Sequence, residues 1–229
     1  MKMVSVIGDS ISTYSGYNPE GYAVFYDYNM QQKNGLSSVY DTWWAKVNQA
    51  LRAYICVNNS YSGSKVTGLT FPAATSAQRT GALHTQQYSP DIILIYIGFN
   101  DFGSGVPIQK NGFFHQRGQD LSCFADAYSA LLSRVKVYYP NTKVVCGTLM
   151  RTRLAGEDGW QFPEHFAGTA FEAYNQAIRA VCKKQNCYLA DIAALNMRYE
   201  TLDGTHPTQN GHTTLYKAWV MCLSELGFL

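Results

Sequence analysis

The chain lacks the features that would tie it to a bilayer, a nucleic acid or a structural zinc. No stretch of its 229 residues approaches the roughly 20 consecutive apolar residues that a membrane-spanning helix needs. No block of like charge disturbs the balance of 18 basic against 16 acidic side chains, so neither nucleic acid nor an anionic membrane surface is expected as a partner. Six cysteines are present, but no Cys-x-x-Cys pair, which argues against a zinc site. Most of them sit in apolar segments, where a free thiol packs as a small hydrophobe. Internal repeats, low-complexity linkers and composition breaks are also missing. One domain over residues 1–229 is therefore expected, large enough to bury roughly 70–75 % of its unfolded surface. Met1-Lys2 leads straight into an apolar run, so no leader is read and a cytoplasmic location is expected, although a chain trimmed of its leader would read the same.

Short apolar runs are present, and they alternate with helical patterns. Met3–Ile7, Tyr54–Val57, Ile92–Ile97, Lys143–Cys146 and Cys187–Ala190 read as strands. The first and third of these runs lack polar alternation, which fits a parallel sheet covered on both faces. Between and after them, Thr42–Arg52, Leu121–Tyr138, Ala167–Lys184 and Gln209–Leu226 carry helical periodicity. The alternation predicts a doubly wound α/β domain with a mostly parallel sheet. Three long segments resist the pattern: Ile11 to about Tyr40, Phe102–Asp120 and Arg151–Phe166. All three leave carboxyl ends of predicted strands, where open α/β sheets bind ligands, and loops of that length are uncommon unless functional.

Ser10 follows the first strand directly, in Gly8-Asp9-Ser10. Near the other end stands Asp203-Gly204-Thr205-His206-Pro207, a carboxylate and an imidazole three residues apart. A serine nucleophile needs a base to take its proton and a third group to hold that base in one tautomer; His206 and Asp203 are of the right types. Acyl transfer also needs donors facing the oxygen that becomes negative. Candidates are the backbone N–H of Ser10, the backbone N–H of Gly63 at the end of Asn58-Asn59-Ser60-Tyr61-Ser62-Gly63, and the side-chain amide in Gly98-Phe99-Asn100-Asp101.

These four ordered blocks resemble those of the SGNH hydrolases, a branch of the GDSL esterase/lipase superfamily, and they run from the first strand to the last helix. The resemblance implies a three-layer, flavodoxin-like domain around a five-stranded sheet. It implies Ser10 as nucleophile, His206 as general base and later acid, and Asp203 as the residue orienting it. It further implies Ser10, Gly63 and Asn100 as the oxyanion hole, with no metal and no cofactor. Ile11 stands where the family usually has leucine. Asp9 and Asp101 read as turn formers and loop braces rather than acids.

Rival readings are weaker. A metal hydrolase could recruit Asp9, Asn100, Asp101, Asp203 and His206, but the sequence lacks a clustered pair of histidine ligands. A non-catalytic carbohydrate-binding protein on this scaffold should carry a broken triad. Acyl transfer to a sugar acceptor, or lipase-type hydrolysis, would use the same residues. The substrate is sought in the loops, which hold much of the chain's 14 % aromatic content. Tyr14, Tyr26, Phe113 and Trp160 are expected to face a substrate, and Arg151 to meet a substrate carboxylate. Loops rich in Tyr, Asn, Gln and Gly predict a short acyl group on a polar alcohol. An acetyl ester of an O-acetylated carbohydrate is the expected substrate. The oligomeric state is left open.

Overall fold

The structure, a computed structural model, describes residues 1–109 and 120–229. The chain runs β1 (Lys2–Gly8), α1 (Tyr28–Lys33), α2 (Trp43–Ala50), β2 (Ala53–Ser60), α3 (Ala77–Gly81), β3 (Ile92–Tyr96) and α4 (Phe99–Gly103). It continues through α5 (Phe124–Tyr138), β4 (Lys143–Gly147), β5 (Thr152–Leu154), β6 (His165–Phe166), β7 (Thr169–Ala170) and α6 (Phe171–Gln185). The last elements are β8 (Tyr188–Ala190), β9 (Tyr199–Thr201) and α7 (Gln209–Glu225).

Five strands form the central sheet in the order β2-β1-β3-β4-β8, and every neighbouring pair is parallel. β3 is buried along its whole length and β1 everywhere but Lys2, because both lie inside the sheet with helices on either side. That is the environment unbroken apolar runs require. The helices pack in two groups: α2 against α7, and α5 against α3 and α6. This is the doubly wound α/β architecture read from the sequence.

The helical patterns run slightly past the observed helices, and the sources are local. α2 starts at Trp43 because Thr42 caps it, its side chain accepting from Ala45 N. α5 starts only at Phe124, and α6 at Phe171, after the short β6–β7 hairpin. Trp43, Trp44 and Trp219 are fully buried, with Trp43 stacked on Trp219. Cys56, Cys146, Cys182, Cys187 and Cys222 are free thiols, and Cys123, Cys146, Cys182 and Cys222 are buried.

Two of the long segments carry structure that periodicity did not reveal. The segment after β1 contains α1, and the one after β4 contains β5, which pairs in parallel with β9. β9 leads directly into Asp203–His206, and Thr201 also bridges back to Pro207. The segment that delivers the histidine is therefore fixed by a small sheet of its own.

Candidate active site

Gly8 ends β1 at a point where a side chain cannot fit: a Cβ there would lie 2.6 Å from Ser12 Oγ and 2.9 Å from Ser60 Oγ. The chain then closes a short 3-10 turn over Ser10–Ser12, capped by Asp9, whose Oδ1 accepts from Ile11 N at 3.0 Å. Ser10 stands on that turn at the carboxyl edge of the sheet. Asp9 is buried beneath it, and burial pushes its carboxyl up to about 6, against the lowering pull of the Ile11 N–H and the nearby His206 and Arg79.

The Asp203–His206 segment folds into a tight turn because Gly204 takes φ +85°, a conformation that favours glycine. Asp203 Oδ1 accepts from the N–H groups of Thr205 (2.9 Å) and His206 (2.8 Å). Its Oδ2 lies 2.7 Å from His206 Nδ1, and His206 Nε2 lies 2.8 Å from Ser10 Oγ. Partial burial alone would push the Asp203 carboxyl up, but the hydrogen bonds from His206 and Thr205 hold it down at about 2. Asp203 is thus an acceptor fixed on Nδ1. That leaves Nε2 free to accept the Ser10 proton.

The histidine is braced from several sides. The Thr152 hydroxyl donates to Gly204 O (2.8 Å), and the Tyr199 hydroxyl to Thr205 O (2.9 Å). The Tyr26 hydroxyl donates to Pro207 O at 2.7 Å. Phe25 lies flat on the imidazole, with ring centroids 3.4 Å apart and planes 9° from parallel. Phe25 is tied back to the Ser10 turn: its N–H donates to Thr13 Oγ1, and the Thr13 hydroxyl donates to Ser10 O.

The Gly63 and Asn100 loops are joined to each other. Gly63 is exposed, takes φ +79° and has nothing within 4 Å of a Cβ, so its backbone conformation rather than lack of space calls for glycine. Asn100 opens α4 and donates through Nδ2 to Ser64 O at 3.0 Å, linking the two loops. Asp101 accepts from Val66 N (2.8 Å), Thr67 N (3.1 Å) and the Thr67 hydroxyl (2.8 Å). It is a loop brace, and burial raises its carboxyl pKa.

The residues expected to face a substrate fare differently. Tyr26 is fully buried and serves to hold Pro207, so its reading as a substrate contact is corrected. Tyr14 is also buried, edge-on to Tyr17. Both were misplaced because an aromatic in a long loop can pack the loop down as readily as it can face a ligand. Arg151 is engaged by Glu164, its Nε and Nη2 lying 2.7 and 2.9 Å from the two carboxylate oxygens. Its charge is already answered within the protein. Trp160 is half-buried beside the histidine turn, 3.4 Å from where a Cβ on Gly204 would stand. Phe113 lies outside the described residues.

Sequence reasoning missed Arg79, Asn18 and the Phe25–His206 stack. Asn18 donates to the carbonyls of Asn58 (3.1 Å) and Ser60 (3.0 Å) and accepts from Tyr14 N, pinning the loop after β1 to the end of β2. Such contacts depend on distant partners and leave no local signal.

A serine, a histidine and an aspartate in hydrogen-bond contact at the carboxyl edge of a parallel sheet have the geometry that acyl transfer requires. The family model of the GDSL-like Lipase/Acylhydrolase matches residues 2–157. The chain belongs to that family. It is 29 % identical, over 93 % of its length, to a multidomain esterase of Ruminococcus flavefaciens, but spans only 27 % of that protein. Among solved structures it resembles a GDSL-like lipase from Bacteroides ovatus ATCC 8483, with 24 % identity, a TM-score of 0.76 and coverage of 98 % of this chain and 99 % of the other. It also resembles a family two carbohydrate esterase from Clostridium thermocellum in complex with cellohexaose, with 18 % identity, a TM-score of 0.57 and coverage of 100 % of this chain and 65 % of the other.

Proposed function

We propose that the protein is a serine esterase that removes a short acyl group, acetyl above all, from a polar alcohol, with an O-acetylated carbohydrate as substrate. The observation that carries the catalytic part is the continuous line Ser10 Oγ–His206 Nε2–His206 Nδ1–Asp203 Oδ2, with contacts of 2.8 and 2.7 Å. In this reading Ser10 Oγ attacks the ester carbonyl carbon while its proton passes to His206 Nε2. Asp203 holds the imidazole in the tautomer with Nδ1 protonated and stabilises the imidazolium that forms. The carbonyl oxygen becomes negative and is met by the N–H groups of Ser10 and Gly63 and by the Asn100 amide. An amide nitrogen carries two hydrogens; Ser64 O takes one, which aims the other.

The tetrahedral adduct collapses as His206 returns its proton to the departing sugar oxygen, leaving an acetyl group on Ser10. Water then attacks that acyl carbon with His206 as base, and acetate leaves as Ser10 regains its proton. The substrate reading is supported by the polar, tyrosine-rich loops around the sheet edge and by the half-buried Phe25 and Trp160 beside His206. The same fold serves a carbohydrate esterase in Clostridium thermocellum.

A chain-length series of model esters tests this reading, followed by assay of acetate release from acetylated oligosaccharides. Acetate esters are expected to be the best substrates, with free acetate appearing from the oligosaccharide. A preference for octanoate, or acetyl transfer to an added sugar in place of hydrolysis, contradicts it.

A further inference from the structure

Arg79 on α3 is fully buried, and each of its five N–H donors is used. Nε donates to Asn59 Oδ1 (2.7 Å), Nη1 to Ser64 Oγ (2.8 Å) and Pro72 O (2.7 Å), and Nη2 to Gly8 O (2.8 Å) and Asn59 O (2.9 Å). All five acceptors are neutral; the Asp9 carboxyl attracts the group through space but is not hydrogen-bonded to it. A buried charge is costly, and buried arginines are ordinarily paired with a carboxylate. Burial lowers the guanidinium pKa only to about 10, so the group remains cationic in neutral solution.

Its contacts are placed around one point. Gly8 lies two residues before Ser10, Asn59 is the last but one residue of β2, and Ser64 follows Gly63. Ser64 is held twice, by Arg79 at its hydroxyl and by Asn100 at its carbonyl. Hydrogen bonding by itself does not call for a full charge, because neutral donors bond carbonyls and hydroxyls without its desolvation cost. A reaction that builds negative charge beside Gly63 and Asn100 gives that charge a use, because fixed charges act strongly in a water-poor interior.

We propose that Arg79 is a positioning residue for the oxyanion hole, holding the ends of β1 and β2 and the Gly63 turn together, and that its charge, to which no carboxylate is hydrogen-bonded, favours the anionic transition state. The inference rests on the proposed roles of Ser10, Gly63 and Asn100.

Three variants test it: Arg79→Met, Arg79→Lys and Asn59→Asp. The last keeps the guanidinium but sets a carboxylate against Nε. Each is assayed for kcat and KM on an acetyl ester, for affinity toward a boronate that forms an anionic adduct on the serine, and for Tm. In Arg79→Met, kcat is expected to fall roughly 10–100-fold, less than or comparable to the loss of a direct oxyanion donor, with KM within about 2-fold. Asn59→Asp should lose roughly 10-fold in kcat, boronate affinity should weaken by the same factor, and Arg79→Lys should recover part of the loss. Unchanged kcat and boronate affinity in Asn59→Asp overturn the inference, as does a lysine variant no better than methionine. If Arg79→Met does not fold, Asn59→Asp decides alone. Ser10→Ala separates the two levels: turnover that survives it removes the underlying mechanism, whereas a dead Ser10→Ala with a fully active Asn59→Asp removes only the role of Arg79.

Discussion

Phe25 covers one face of the His206 imidazole, its ring parallel to within 9° at a centroid distance of 3.4 Å. The pair joins the loop after β1, which holds Ser10, to the turn that ends the chain's last connection. Two segments nearly two hundred residues apart in sequence are thereby registered at His206 itself.

Removing that face should loosen the imidazole without changing its chemistry. Aromatic pairs of this kind contribute about 0.5–1.5 kcal/mol beyond their burial. Phe25→Ala is expected to lower kcat by up to about 10-fold, with KM for a small acetyl ester little changed. Steady-state kinetics on that ester measure this, and an unchanged kcat would show that the other braces suffice.

Tyr26→Phe removes a single hydroxyl, the one donating to Pro207 O from a fully buried ring. Leaving a buried carbonyl without its donor costs about 1–3 kcal/mol. A lowered Tm with a few-fold loss of kcat is expected. Thermal melts and kinetics on the same preparation check it; a loss of activity with no change in Tm would return Tyr26 to the substrate side.

Asp203 is held near a pKa of about 2, so its carboxylate stays ionised throughout the working range, and its protonation should not limit activity above about pH 4. Asp203→Asn keeps the size but can donate to Nδ1 and favour the wrong tautomer. The same change in a serine protease triad costs about 10⁴ in kcat, and a loss of that order is predicted for ester hydrolysis. A loss below 10-fold would mean that another group orients His206.

Asp9 makes stability depend on pH. Its ordinary pKa is 3.8 and burial raises it to about 6 in the folded protein. Between those values the folded chain holds a proton that the unfolded chain has released. This contribution is therefore fully present below about pH 4, falls as pH rises toward 6 and is lost above it. Asp9→Asn keeps the acceptor for Ile11 N and removes the titration. Its Tm relative to the parent should improve from pH 4.5 to pH 8, by an amount equivalent to at most about 3 kcal/mol. A difference independent of pH contradicts the assignment.

The sheet was legible because β3 is an unbroken apolar run and β1 lacks polar alternation, and the Ser10, Gly63 and Asn100 blocks stood out because each follows a strand read from the sequence. The sequence also carried Gly204 and Pro207, which shape the histidine turn. What it did not carry was contact across long separations. Nothing near position 79 says that its arginine reaches Gly8, and nothing near Tyr26 says that its hydroxyl reaches Pro207. The parallel pairing of β5 with β9 was hidden because each strand has only three residues, too few for a period to register. Loop aromatics proved the least readable: Tyr14 and Tyr26 turned inward, and Phe25 met a side chain of the protein itself.

The central claim is that Ser10 is the nucleophile. The most direct measurement is acetyl-ester hydrolysis by Ser10→Ala, with far-ultraviolet circular dichroism to show that the fold is kept and a fluorophosphonate probe to read covalent labelling. The account predicts a folded protein with no detectable turnover and no label, beside a parent enzyme labelled once at Ser10. A folded Ser10→Ala that still hydrolyses the ester, or a parent labelled at another serine, would contradict it.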